Sequence, residues 1–393
     1  MKNILHYFHP LVWIILSGTV FARTASFMAM PFLALYLYNE LDASPLLIGL
    51  TLGASPLFAT FGGLIGGYLT DRFERKFVII TTVFIWSITF ICFAFAPTAS
   101  IFVILNALNG LCRSFFEPAT QALMIDFTED AKKRRLFSVR YTAINIAAVI
   151  GPLLGVWIAS MSTPAIPFII TGSMYAMYGI FLIVVLNRYP SQQQKLQQNI
   201  GIHSILKATS SDKKLLYFIL AGILISLGYS QFDSTLPQLI DLRLEDGVEI
   251  FSYVIVANSI TVLALQLPLT VMIEKANIYT SLRMGITIFA TGLFLFGISQ
   301  SAWMFIVSMI IFSIGEIFVF PTMNAVIEEI APLDQKGTYL GASQLKNIGG
   351  FIGPIFGGWL LIHVIDWMYV IIALCMLVSI LIYRKAIKES ARI

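Results

Sequence analysis

Long apolar runs follow one another almost without pause along this chain, and they leave it few folds to choose from. About 20 apolar residues in a helix cross the hydrocarbon of a bilayer. Inside hydrocarbon every backbone N–H and C=O must be paired within the protein, which restricts spanning segments to helices and closed barrels. These runs are continuous rather than alternating, so helices are expected. Twelve are read, over 11–38, 45–69, 77–97, 99–125, 138–161, 165–187, 215–241, 249–273, 281–299, 303–330, 338–363 and 366–384. A hydrophobic fraction of 58% with only 12% charged residues excludes an ordinary soluble domain. The first run is too long for a removable signal peptide and is followed by further spans. The expected fold is therefore an all-α membrane protein.

One stretch occurs twice. Residues 145–157 read NIAAVIGPLLGVW and residues 347–359 read NIGGFIGPIFGGW, identical at seven of thirteen positions and 202 apart. Such an offset in a chain of 393 residues indicates two tandem halves. The long polar interruption at 188–214 separates an expected six-helix bundle at 1–187 from another at 215–393. Gly151 and Gly155 in one copy, and Gly349, Gly353 and Gly357 in the other, recur every fourth residue. That spacing lays a flat stripe along one helix face, where another helix can approach closely. Pro152 and Pro354 are expected to bend their helices at mid-depth.

Orientation follows from Lys and Arg. With both termini inside, the cytoplasmic segments hold 20 of the 25 basic residues and the outer loops one, Arg243. This expectation accounts for the net charge of +4 as topology, with no nucleic acid as partner. Cys92, Cys112 and Cys375 lie within apolar runs, and His6, His9, His203 and His363 have no metal-ligand spacing. No phosphate-binding loop or nucleophile elbow is present. Neither enzyme chemistry nor a cofactor or bound metal is expected.

Between spans two and three the chain reads Gly67-Tyr-Leu-Thr-Asp71-Arg72-Phe-Glu74-Arg75-Lys76. This resembles the loop motif of the major facilitator superfamily, Gly-x-x-x-Asp-Arg-x-Gly-Arg-Lys, with Glu74 in place of the usual glycine. The resemblance extends over essentially the whole chain and implies twelve helices in two six-helix bundles around a central cleft. It also implies a gating network of Asp71, Arg75 and Asp126, with Gly67 and Arg72 completing the loop motif. The repeated Gly-Pro stretch is similar to the antiporter motif of the drug/proton exporters, which span eleven matches in full from Gly349 to Gly358. Generic packing stripes would explain the same residues.

Ionisable groups in hydrocarbon are costly and usually face a cavity or a partner. Near mid-span stand Arg23 in span one, Arg113 and Glu117 in span four, Asp233 in span seven and Glu316 in span ten. In the superfamily these four helices line the cleft. Asp233 and Glu316 resemble the membrane-embedded acids of a multidrug/proton antiporter of Gram-positive bacteria, which implies proton coupling. A structural ion pair of Glu316 with Arg23 or Arg113 is the rival reading. Asn106 stands where the family's helix-four motif carries arginine, and Arg113 follows two turns later on the same face. Arg140 and Lys346 are expected to snorkel toward the interface. Flexible Met28 and Met30 beside Arg23 suit a pocket that repacks around varied ligands.

Together these readings predict a secondary active exporter in a bacterial plasma membrane, monomeric and driven by the proton gradient. Its substrate would be a small amphiphilic compound. Two arginines against three acids should leave at least one acid unpaired, which favours a nearly neutral, drug-type pocket. A dedicated exporter of a charged or zwitterionic metabolite, such as an amino-acid-derived metallophore, is the alternative. A non-transporting sensor or scaffold is a third reading.

Overall fold

The computed structural model describes residues 7–72, 75–129, 132–161, 163–189, 211–332 and 336–390, without the side chains of 63–72, 75, 133, 134, 138, 160, 274, 328, 336–338, 340 and 387–390. Twelve helices among these residues are long and apolar enough to cross a membrane. Their limits fall within several residues of those expected.

Within the first half, span one packs on spans five and six, two on four, and three on four and six. Within the second half, seven packs on eleven and twelve, eight on ten, and nine on ten and twelve. Adding six to each number in the first set reproduces the second, so the duplication seen in 145–157 and 347–359 extends to the whole packing scheme. Two hydrophobic clusters follow the same division. One is built from Phe8 to Leu186, and the other from Leu215 to Tyr383 with a single visitor, Leu35. Across the halves, span two packs on eleven and span five on eight.

Spans one and seven are interrupted at corresponding places. Span one runs as Pro10–Ala29, a tight turn at Met30–Phe32, and Leu33–Asn39. Pro31 cannot donate the hydrogen bond that would close a regular turn there. Span seven runs as Lys213–Tyr229 and Gln231–Arg243. At its break, Ser230 Oγ and Gln231 Nε2 donate to the freed carbonyl of Leu227 at 2.8 and 2.9 Å. Gln231 Nε2 also donates to the Gly353 carbonyl at 3.0 Å, tying the break to span eleven.

The prolines of the repeated stretch lie inside unbroken helices. Lys133–Ser160 continues through Pro152, and Ile348–His363 continues through Pro354. Span eleven is interrupted instead at Gln344–Asn347, between Lys336–Ser343 and Ile348–His363. The lost donor is tolerated inside each helix because neighbouring helices buttress that turn.

The glycine stripes face partner helices within their own halves. A methyl at Gly151 would lie 2.6 Å from Phe27 Cβ of span one, and one at Gly155 would strike the Met28 carbonyl. Gly349 faces the Ile223 carbonyl, Gly353 faces Leu227 and Ser230, and Gly357 abuts Gln231, all in span seven. The opposite face of span eleven meets span two: a methyl at Gly53 would lie 2.7 Å from the Phe351 carbonyl.

Candidate functional site

Span four carries Asn106, Asn109, Arg113 and Glu117 at spacings that keep them on one face. Its upper part is structural. Asn106 is buried and donates to the Thr51 carbonyl of span two at 2.8 Å. Asn109 donates to Asn106 Oδ1 at 2.9 Å and to Met30 Sδ at 3.5 Å, and accepts from Trp86 Nε1 at 2.7 Å. Met28 is buried in the helix packing. Asn106 and Met28, expected in the substrate cavity, are thus used for packing.

One turn below Arg113, Glu117 gathers three arginines. Arg23 of span one pairs with its Oε1, Arg140 of span five donates to its Oε2 at 2.8 Å, and Arg113 Nε stands 3.8 Å from Oε1. The first two arginine side chains are 15% and 14% exposed, whereas Arg113 is 58% exposed. Arg140 therefore turns inward to a carboxylate rather than outward to the interface, because a charge-assisted bond is available within its reach. Lys346 lies against span seven, with its amine 6.0 Å from the Phe218 ring.

In the second half, Glu316 accepts from Asn258 Nδ2 of span eight at 2.9 Å and from the Tyr229 hydroxyl of span seven at 3.4 Å. Tyr229 is itself enclosed by Phe312, Phe289 and Phe320. Asp233 lies in the first turn after the break in span seven and is exposed, although Phe232 and Ser234 on either side are buried. Among the described residues no cation lies in ion-pair range of Asp233 or Glu316. The rival pairing of Glu316 with Arg23 or Arg113 is therefore not formed. Arg113 in span four and Asp233 in span seven are both exposed at mid-span, one from each half.

At one end of the cleft the halves touch through equivalent residues. Asn39 Nδ2 donates to Asp241 Oδ2 at 3.1 Å, and their separation of 202 is the repeat offset itself. Positions related by a pseudo-two-fold meet only beside its axis, so this contact marks the axis between the bundles. Phe32 and Phe251 meet edge to face close by, with centroids 6.2 Å apart. Tyr141 of span five and Gln266 of span eight are 3.4 Å apart across the halves.

Sequence reasoning missed Tyr229 and Asn258. An asparagine within the apolar run of span eight was the signal available for the second. The side chains of Gly67, Asp71, Arg72 and Arg75 lie outside the described residues. Asp126 closes the span-four helix Ala99–Asp126.

The model of the Major Facilitator Superfamily matches residues 15–345 and 247–392. An uncharacterized MFS-type transporter, YqjV of Bacillus subtilis (strain 168), is 35% identical over 353 residues, covering 89% of this chain and 86% of the relative. A Na(+), Li(+), K(+)/H(+) antiporter of Planococcus maritimus is 27% identical over 374 residues, covering 86% and 87%. Among solved structures, the POT family transporter PepTSo superposes with a TM-score of 0.82 at 14% identity, covering 97% of this chain and 98% of that one. Twelve membrane-spanning helices, a packing scheme repeated in the two halves and these matches place the chain in the major facilitator superfamily, as a membrane transporter.

Proposed function

We propose that this transporter is a proton-coupled antiporter that exports small amphiphilic compounds, with Glu316 and Asp233 as its proton carriers. The observation that carries the reading is the setting of Glu316: a half-buried carboxylate at mid-span whose hydrogen-bond partners, Asn258 and Tyr229, are neutral. With no counter-ion holding it charged, such a group can take up and release a proton as the cleft changes sides. The antiporter among the relatives and the full Gly-Pro motif of span eleven support exchange in opposite directions.

In this reading both termini face the cytoplasm of a bacterial cell, and the Asn39–Asp241 contact belongs to the outer gate. Asp71, Arg75 and Asp126 form the inner gate, and each chain works alone because it contains a whole cleft. Protonation of the acids from outside displaces the substrate, and rocking of the bundles returns the protons inside. The decisive experiment loads proteoliposomes with a pH-sensitive dye and imposes a gradient. Cationic dyes and carboxylate-bearing amphiphiles are then offered as substrates. Substrate-dependent proton movement that disappears in Asp233→Asn and Glu316→Gln supports the reading, and undiminished coupling in both variants defeats it.

A further inference from the structure

Glu117 is outnumbered. Three guanidinium groups converge on one carboxylate, so the cluster carries a formal charge of +2, three positive less one negative. Each guanidinium has five N–H donors, while a carboxylate offers about four lone-pair sites. Arg140 Nε is buried with no hydrogen-bond partner. Arg113, at 3.8 Å from Glu117, is beyond hydrogen-bond reach and opens to the cleft. Arginine cannot shed its proton, and excess charge among apolar helices is costly unless something balances it. In the second half Asp233, just past the break in span seven, is exposed and, among the described residues, in no ion pair. The cleft is thus polarised, positive on the first-half wall and negative on the second.

We infer that the transported compounds are zwitterions, with an oxyanion such as a carboxylate held by Arg113 at the Arg23–Glu117–Arg140 cluster and an ammonium group facing Asp233. The planar fork of Arg113 suits bidentate capture of a carboxylate. The inference rests on the transport reading and sharpens it, because the ammonium group and the incoming proton then compete for the same carboxylate. An anion alone would be held more tightly when Asp233 is protonated, which opposes antiport. A cation alone would meet the arginine wall unpaired. A zwitterion satisfies both walls and is still released by protonation.

The test uses three matched probes: phenylalanyl-phenylalanine, its methyl ester, which lacks the anion, and its N-acetyl derivative, which lacks the cation. Binding to the full chain in nanodiscs of neutral lipid is measured at fixed pH, with no gradient. The free dipeptide should bind on the order of ten- to hundredfold tighter than either capped form, as expected for charge-assisted hydrogen bonds. Arg113→Gln should abolish its advantage over the ester, and Asp233→Asn its advantage over the N-acetyl form. Arg113→Lys should retain part of the first advantage, which general structural damage would not. Equal affinities for the three probes, failure of the dipeptide to bind, or an unchanged dipeptide-to-ester ratio in Arg113→Gln overturns the inference. Gradient-driven flux is scored separately. If the probe ratios hold while proton coupling is absent, the antiport reading fails and this one stands; the reverse result removes this one alone.

Discussion

Replacing Glu117 with glutamine removes the only negative charge, among the described residues, that pairs with Arg23, Arg113 and Arg140, and the structure sets the size of the effect. At the 2.8 Å of the Arg140 contact, one ion pair is worth about 6 kcal/mol gross at an effective dielectric constant near 20. Desolvation of both partners offsets much of this, and breaking a buried pair typically costs about 3–5 kcal/mol. The side chains here are 14–20% exposed and the cleft admits water, which lowers the expectation to about 2–4 kcal/mol. For a bundle of this size that corresponds to roughly 5–15 °C in Tm. Cys112 is 3% exposed in the same helix, so a thiol-reactive dye reports unfolding at the site itself. Exposed Cys92 is first changed to serine to remove its background. Arg140→Gln should cost less than Glu117→Gln, because it relieves repulsion as well as breaking a bond. The double variant should be more stable than the two single losses add up to, by about 1 kcal/mol or more. A Glu117→Gln protein that melts within about 2 °C of wild type, or strict additivity of the two losses, would refute the idea that this carboxylate holds the cluster together.

Asp233→Asn and Glu316→Gln should reach the membrane in normal amounts yet lose most gradient-driven flux, as measured in everted vesicles; wild-type flux in either variant clears that acid of a coupling role. Leucine at Gly353 would meet Ser230 and lie 2.8 Å from the Leu227 carbonyl already at its first side-chain atom, so turnover should fall several-fold with probe affinity kept. Normal turnover there would mean that span eleven has room to move away from span seven. Asn39→Ala removes one hydrogen bond at the pseudo-two-fold axis, worth about 1 kcal/mol, and should raise the population open at that end about fivefold. Spin labels at Leu41 and Glu245 would register the change as a longer distance population, and an unchanged distribution counts against a latch.

Much of the fold was legible because bilayer crossing is a demand on composition. A run such as 281–299 has to be helical wherever it sits, and twelve such runs need no tertiary information to be counted. The repeat of NIAAVIGPLLGVW in NIGGFIGPIFGGW foretold the equivalence of spans five and eleven, and the stripes Gly151–Gly155 and Gly349–Gly353–Gly357 do lie against neighbouring helices. Charged residues at mid-span marked Arg23, Arg113, Glu117, Asp233 and Glu316 for the same reason of cost, and the first three do come together.

Partnership was another matter. Counting two arginines against three acids favoured a nearly neutral pocket, but a count has no distances in it. Arg140 looked like an interfacial residue by its place in span five, yet its side chain is long enough to reach Glu117 from the next helix, and the available carboxylate decides its direction. Asn106 was expected in the cavity because it stands where the family's helix-four motif carries arginine, but the Thr51 carbonyl of span two lies 2.8 Å away and takes its donor. Helix interruptions fell at Met30–Phe32, Ser230 and Gln344–Asn347, places that no sequence signal had singled out. Whether a missing backbone donor breaks a helix depends on what packs against that turn. Number of spans, repeat and the identity of costly charges are properties of the chain taken residue by residue, and the sequence by itself determined them. Which charge meets which depends on interhelical distances of a few ångströms, and only the packed tertiary structure decided that.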